Sequence, residues 1–230
     1  MWMLLTSACI AIVDWIAVAR QNRTLEIVAK PATLLALCVW FGSYPAARSS
    51  TVGVLFLLGL VFSFLGDIFL LFPEVHFLKG LIAFKGLIAF LLAHLLYIAA
   101  FNSTGPILTL PAILLAVPIV IAALLILRRL IASLKEHGNE AMIVPVSVYA
   151  LVLSLTLWSA STTLFRNDWS LLAGTLAAAG GVLFFVSDAS IAWNRFVGPH
   201  WGGRLFEIVT YHLAQIGLAA GILISIGALG

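Results

Sequence analysis

"SFLGDIFLLF", Ser63 to Phe72, and "FFVSDASIAW", Phe184 to Trp193, each set one carboxylate among apolar neighbours. Asp67 follows Gly66, Asp188 follows Ser187, and no Lys or Arg stands within four positions of either. A charge at mid-bilayer costs about 2.5–3.5 kcal/mol on insertion scales, so such residues face the interior of a bundle and serve a site or pathway. Desolvation favours a neutral carboxyl group, and two close carboxylates resist ionising together. One acid can then donate a proton while its partner accepts one from water. Each lies about 9 Å below the same membrane face, so the pair is expected to meet in one cavity.

Other polar side chains fall at that level. His94 and Tyr97 share a helical face with Phe90 and Phe101, while Glu207, Tyr211 and Gln215 recur once per turn. With Tyr149 they are expected to line a pocket open to the cytoplasmic leaflet. Asp14, beside Trp15, reads as a structural partner and His212 as a cross-helix hydrogen-bonding group. Glu207 and Arg204 read as a solvated pair near a helix entrance.

The elements that must hold these groups follow from composition. Of 230 residues, 63% are hydrophobic and 9% charged, and the mean hydropathy is +1.17. Apolar runs long enough to cross a hydrocarbon core of roughly 30 Å recur along the whole chain. Eight spans are expected, at 3–19, 31–47, 51–72, 78–101, 106–127, 141–163, 170–194 and 203–228. The connections carry the Pro, Gly and charge of turns, as in "PEVHF", "NSTGP" and "NRFVGPHWGGR". The fold class is therefore all-α: a polytopic membrane protein, one transmembrane domain over 1–230.

Most Lys and Arg follow odd-numbered spans, among them Arg20, Arg23, Lys30, Arg128, Arg129 and Arg195. By the positive-inside rule both termini lie outside the cytoplasm. The formal net charge of +3 is a topological signal. No basic stripe interleaves with aromatics, so nucleic acid is not an expected partner. Cys9 and Cys38 fall inside spans as small hydrophobes, and neither a disulfide nor a cleaved leader is expected.

"KGLIAFKGLIAF", Lys79 to Phe90, is a tandem hexapeptide and reads as a local duplication, with Lys85 able to snorkel to the membrane surface. Asp67 to His94 and Asp188 to Gln215 share an offset of 27 residues, which points to a 4+4 internal repeat.

"SFLGDIFLLFP", "GLIAFLLAHLLYIAAF", "PVSVYALVLSLTLW", "GGVLFFVSDASIAWNRF" and "TYHLAQIGLAAG" resemble, in order, the signature segments of the YhhN family of lysoplasmalogenase-like membrane proteins. "KP" at Lys30 and Pro31 resembles the entrance of that family's second helix. The resemblance implies an eight-helix hydrolase that cleaves the vinyl-ether bond of lysophospholipid substrates. It implies catalytic acids at Asp67 and Asp188, and substrate-binding companions at His94, Tyr97, Tyr149, Tyr211 and Gln215. No cofactor and no metal is expected.

Two rival functions fit the same residue types. His and Asp also build zinc sites, which would make a metal-dependent amide or ester hydrolase, but only His94 and His212 lie within spans. Intramembrane acids also build proton relays, which would make a proton-coupled transporter.

Overall fold

The computed structural model describes residues 2–71, 79–199 and 202–229. Among them every regular element is helical, in chain order α1 (Trp2–Ala19), α2 (Arg23–Ser43), α3 (Pro45–Ser49), α4 (Thr51–Leu71), α5 (Lys79–Phe101), α6 (Leu110–Glu136), α7 (Ile143–Thr162), α8 (Leu171–Phe196) and α9 (Gly203–Ser225). Seven helices are long and apolar enough to cross a membrane, and the eighth, α5, carries its apolar stretch over Lys85–Phe101. The chain is thus an all-α, multi-pass integral membrane protein. The expected turn "PEVHF" with His76, and His200 in the last connection, lie outside the described residues.

Helix starts follow local chemistry. The side chain of Asn22 accepts the N–H of Leu25 at 3.1 Å and caps α2, with Glu26 in the first turn facing the positive end of the helix dipole. Ser170 caps α8 in the same way through Ala173 N–H, at 3.2 Å. The cap at Asn22 corrects the expected second span, which began at residue 31. Pro31 lies inside α2, and a membrane-spanning helix tolerates the missing N–H. Lys30 is consequently a helical residue and not a loop cation. That helix also ends earlier than expected, at Ser43, where extended Tyr44 hands the chain to α3 with Pro45 at its first position.

The fifth span likewise outruns its apolar stretch. α6 continues through Arg128, Arg129 and Lys135 to Glu136, and Gly138, two residues on, has a φ of +70° that suits a residue without a side chain.

The chain groups into two compact units, Met1–Ser103 with Ile222–Gly230, and Thr104–Gly221. In the first unit α1 packs on α2, α2 on α4 and α4 on α5. The rings of Phe41, Phe56, Tyr97 and Phe101 form its core, with Phe56 stacked on Tyr97 at 4.6 Å between centroids. Gly59 and Gly66 let α4 and α5 approach. A Cβ on Gly59 would stand 2.4 Å from the Tyr97 ring, and one on Gly66 would stand 2.6 Å from Phe90.

In the second unit α6 packs on α7 and α7 on α8, and the Nε1–H of Trp158 donates to the Ala112 carbonyl at 2.8 Å. Small residues bring α8 and α9 together: a Cβ on Gly180 would stand 2.7 Å from the backbone nitrogen of Leu218, and one on Gly221 would stand 2.9 Å from the Ala173 carbonyl oxygen. Close backbone approach of this kind is how helices associate where lipid removes any hydrophobic drive between them.

Candidate functional site

Each unit holds one of the two acids. In the first, Asp67 is 0% exposed on α4, one turn before the helix end. Its Oδ1 lies 2.9 Å from Nζ of Lys30, which α2 supplies. The apolar neighbourhood of Asp67 in sequence is therefore answered by a cation 37 positions earlier, brought alongside by helix packing. A buried carboxylate with no counter-charge is expensive, and this contact supplies one. Near the same end, Arg23 donates through Nη2 to the carbonyl of Leu71 at 2.7 Å and pairs with Glu26 at 3.2 Å. An arginine on the last carbonyl of α4 satisfies an acceptor that helix geometry leaves over.

One turn before Asp67, Ser63 meets Tyr97 of α5, Oγ to Oη 3.2 Å. The ring of His94 stands perpendicular to that of Tyr97 at 6.4 Å between centroids. Ser63, His94 and Tyr97 are all buried, so α4 and α5 form a polar seam in an apolar unit. Asp14 on α1 is also fully buried.

In the second unit, Tyr149 of α7 donates its hydroxyl proton to Oδ2 of Asp188 on α8 at 2.5 Å. Asp188 and Tyr149 are half-buried, in contrast to Asp67. The residue before the acid, Ser187, donates to the Glu207 carbonyl of α9 at 2.9 Å, and Asn194 Nδ2 donates to the Glu207 carboxylate. Glu207 thus meets an asparagine across the helix pair. Tyr211 and Gln215 are buried along α9, with the Tyr211 ring at right angles to Phe184 at 5.6 Å. His212 is buried beside Tyr211, their rings 5.5 Å apart.

The structure therefore places Asp67, His94 and Tyr97 in the first unit, with Asp67 on Lys30 and His94 against Tyr97. It places Asp188, Tyr149, Tyr211 and Gln215 in the second, with Asp188 on Tyr149. Lys30 and Asn194 were not among the expected site residues. A signal for Lys30 existed in the Asn22 cap, which puts residues 23–43 on one helix and so carries Lys30 beneath the surface. Among the described residues no group of three or more His, Cys, Asp or Glu side chains is arranged to hold a metal ion.

Chemically, a carboxylate beside an ammonium is suited to accept a proton or face a cation. A carboxyl group beside a phenol is suited to exchange protons while keeping its orientation.

The model of the YhhN family matches residues 25–222. Over 204 residues the chain is 32% identical to a protein of Mus musculus named lysoplasmalogenase TMEM86B, covering 88% of this chain and 76% of that protein. It is 31% identical over 157 residues to lysoplasmalogenase TMEM86B of Homo sapiens, covering 68% of this chain and 58% of that protein. With human lysoplasmalogenase TMEM86A it shares 32% identity over 161 residues, 69% of this chain and 60% of that protein. The chain thus spans about three fifths of both human relatives. No solved structure matches it.

Proposed function

The chain belongs to the YhhN family, and from that premise we propose that it is a membrane hydrolase that cleaves the vinyl-ether bond of lysoplasmalogens. The observation that carries this is the shared name of the relatives, lysoplasmalogenase, over two thirds or more of this chain. One carboxyl group on a membrane-spanning helix of each unit suits the chemistry, because a vinyl ether needs an acid to start its hydrolysis.

The vinyl ether is electron-rich at the carbon β to oxygen. Its π electrons take a proton from one of Asp67 and Asp188, a C–H bond forms, and the ether oxygen shares its lone pair with the adjacent carbon to give an oxocarbenium ion. The other acid, as carboxylate, stabilises that cation and accepts a proton from the water that adds to it. The hemiacetal collapses: the glycerol oxygen leaves with the proton just accepted, and the first acid regains one from the hemiacetal hydroxyl. One water is consumed, a fatty aldehyde and a glycerophospho-base are released, and both carboxyl groups end as they began.

In this scheme His94, Tyr97, Tyr149, Tyr211 and Gln215 orient the lipid and the acids, and apolar helix walls hold the alkenyl chain. In this reading the termini lie outside the cytoplasm and the substrate enters from the cytoplasmic leaflet, in keeping with the basic residues after the odd-numbered spans.

The test is incubation of the purified chain with a lysoplasmalogen and detection of products by mass spectrometry. Release of a fatty aldehyde with the matching glycerophospho-base is expected. Intact lipid after prolonged incubation, with the protein folded, would overturn lysoplasmalogen hydrolysis as the function. Accumulation of unaltered substrate inside proteoliposomes would favour a transporter.

A further inference from the structure

We propose that Lys30 is a positioning residue for this reaction, orienting Asp67 and facing its carboxylate with a fixed counter-charge; this rests on the function proposed above. The contact is short, 2.9 Å, and sheltered, with side-chain exposures of 13% for Lys30 and 0% for Asp67.

Its register is fixed by a second attachment between the same helices. Arg23, two turns before Lys30 on α2, donates to the Leu71 carbonyl one turn after Asp67 on α4. Moving up α2 corresponds to moving down α4, so the two contacts lie in sequence along one antiparallel interface. Glu26 pairs with Arg23 at 3.2 Å and lies between the two positions. One turn before Asp67 on α4, Ser63 is engaged with Tyr97 of α5. The acid is thus carried by a helix anchored on both flanks, the arrangement that reproducible placement of a reacting group demands.

Stability alone gives little reason for such a pair. Taking two charges out of water costs more than their attraction usually returns, and apolar residues of similar volume often serve a core as well or better. An ammonium is also a particular choice of partner. The contact is an ion pair only while Asp67 is charged, whereas the phenol of Tyr149 can donate to Asp188 whether that carboxyl group is charged or neutral. Lys30 is in this sense matched to one protonation form of Asp67.

The experiment measures aldehyde release from a lysoplasmalogen by the purified full chain and its Lys30→Arg, Lys30→Met, Asp67→Asn and Lys30→Met/Asp67→Asn variants. Misplacing a reacting group lowers turnover strongly, so Lys30→Met is expected to reduce kcat about a hundredfold with little change in KM. Lys30→Arg should restore most of that loss. The double variant should be no slower than Asp67→Asn alone, because the lysine acts only through the acid. Three results would each overturn the role: Lys30→Met at wild-type kcat, a loss confined to KM, or a double variant clearly slower than Asp67→Asn. Should Lys30→Met fail to fold, the double variant, which removes both charges, still decides through its comparison with Asp67→Asn. A wild-type chain that releases no aldehyde overturns the proposed function and this role together. Wild-type activity lost in Asp67→Asn but kept in Lys30→Met overturns this role alone.

Discussion

Tyr149 on α7 donates to Asp188 on α8 across 2.5 Å, so the half-buried acid of the second unit is oriented by a neutral partner from a neighbouring helix. Hydrogen bonds to charged groups contribute about 1.5–3 kcal/mol. Tyr149→Phe keeps the ring and removes the donor. It is expected to lower kcat for aldehyde release about tenfold to a hundredfold, with KM changed far less. An unchanged kcat would show that this contact plays no part in turnover.

The Gly59 contact with Tyr97 predicts a stability effect of a different kind. A Cβ there would stand 2.4 Å from the ring, and the ring is fully buried against Phe56, so it has little room to yield. Gly59→Val should destabilise the chain by about 1–3 kcal/mol or more through overpacking. Gly138 offers the contrast, with φ of +70° and open space around it. Gly138→Ala meets only backbone strain, about 1 kcal/mol. Thermal unfolding of both variants in the same detergent checks the order.

Arg23→Ala should lower stability by loosening the α2–α4 interface next to the Lys30–Asp67 contact. The substitution removes the donor on the Leu71 carbonyl and the partner of Glu26. A loss of about 1–3 kcal/mol is expected, because Glu26 is buried and is left without that cation. Midpoints of denaturant unfolding monitored by tryptophan fluorescence would show it.

How far these contacts were legible in the sequence depends on their range. Asp67 and Asp188 stood out because an acid among apolar residues is conspicuous at any depth, and the helices holding them follow from apolar run length alone. Lys30 read as a cation of the first connection and not as a partner of Asp67. Its neighbour Pro31 suggested a helix start, and its partner lies 37 residues away, beyond the reach of any argument from adjacent positions. Arg128, Arg129 and Lys135 looked like loop residues because hydropathy marks where lipid ends and not where a helix ends; α6 continues past both arginines to Glu136. The pairing of Ser63 with Tyr97, and of Asn194 with Glu207, depends on which faces of neighbouring helices meet. Glycines such as Gly59 and Gly180 decide that, and their effect appears only once the helices are packed.

The basic residues after the odd-numbered spans predict a membrane orientation that labelling can test. With Cys9 and Cys38 replaced, Gly105→Cys in the connection after α5 should react with an impermeant maleimide applied to intact cells. Gly138→Cys, after α6, should react only once the membrane is opened. The reverse pattern would place the termini in the cytoplasm.

The central claim is that the two intramembrane acids carry out the hydrolysis, and the rate of aldehyde release by purified Asp67→Asn and Asp188→Asn against wild type tests it most directly. Both variants keep the size of the side chain and lose its proton chemistry, so both are expected to fall by at least about a hundredfold while remaining folded. Wild-type turnover retained in both would contradict the account.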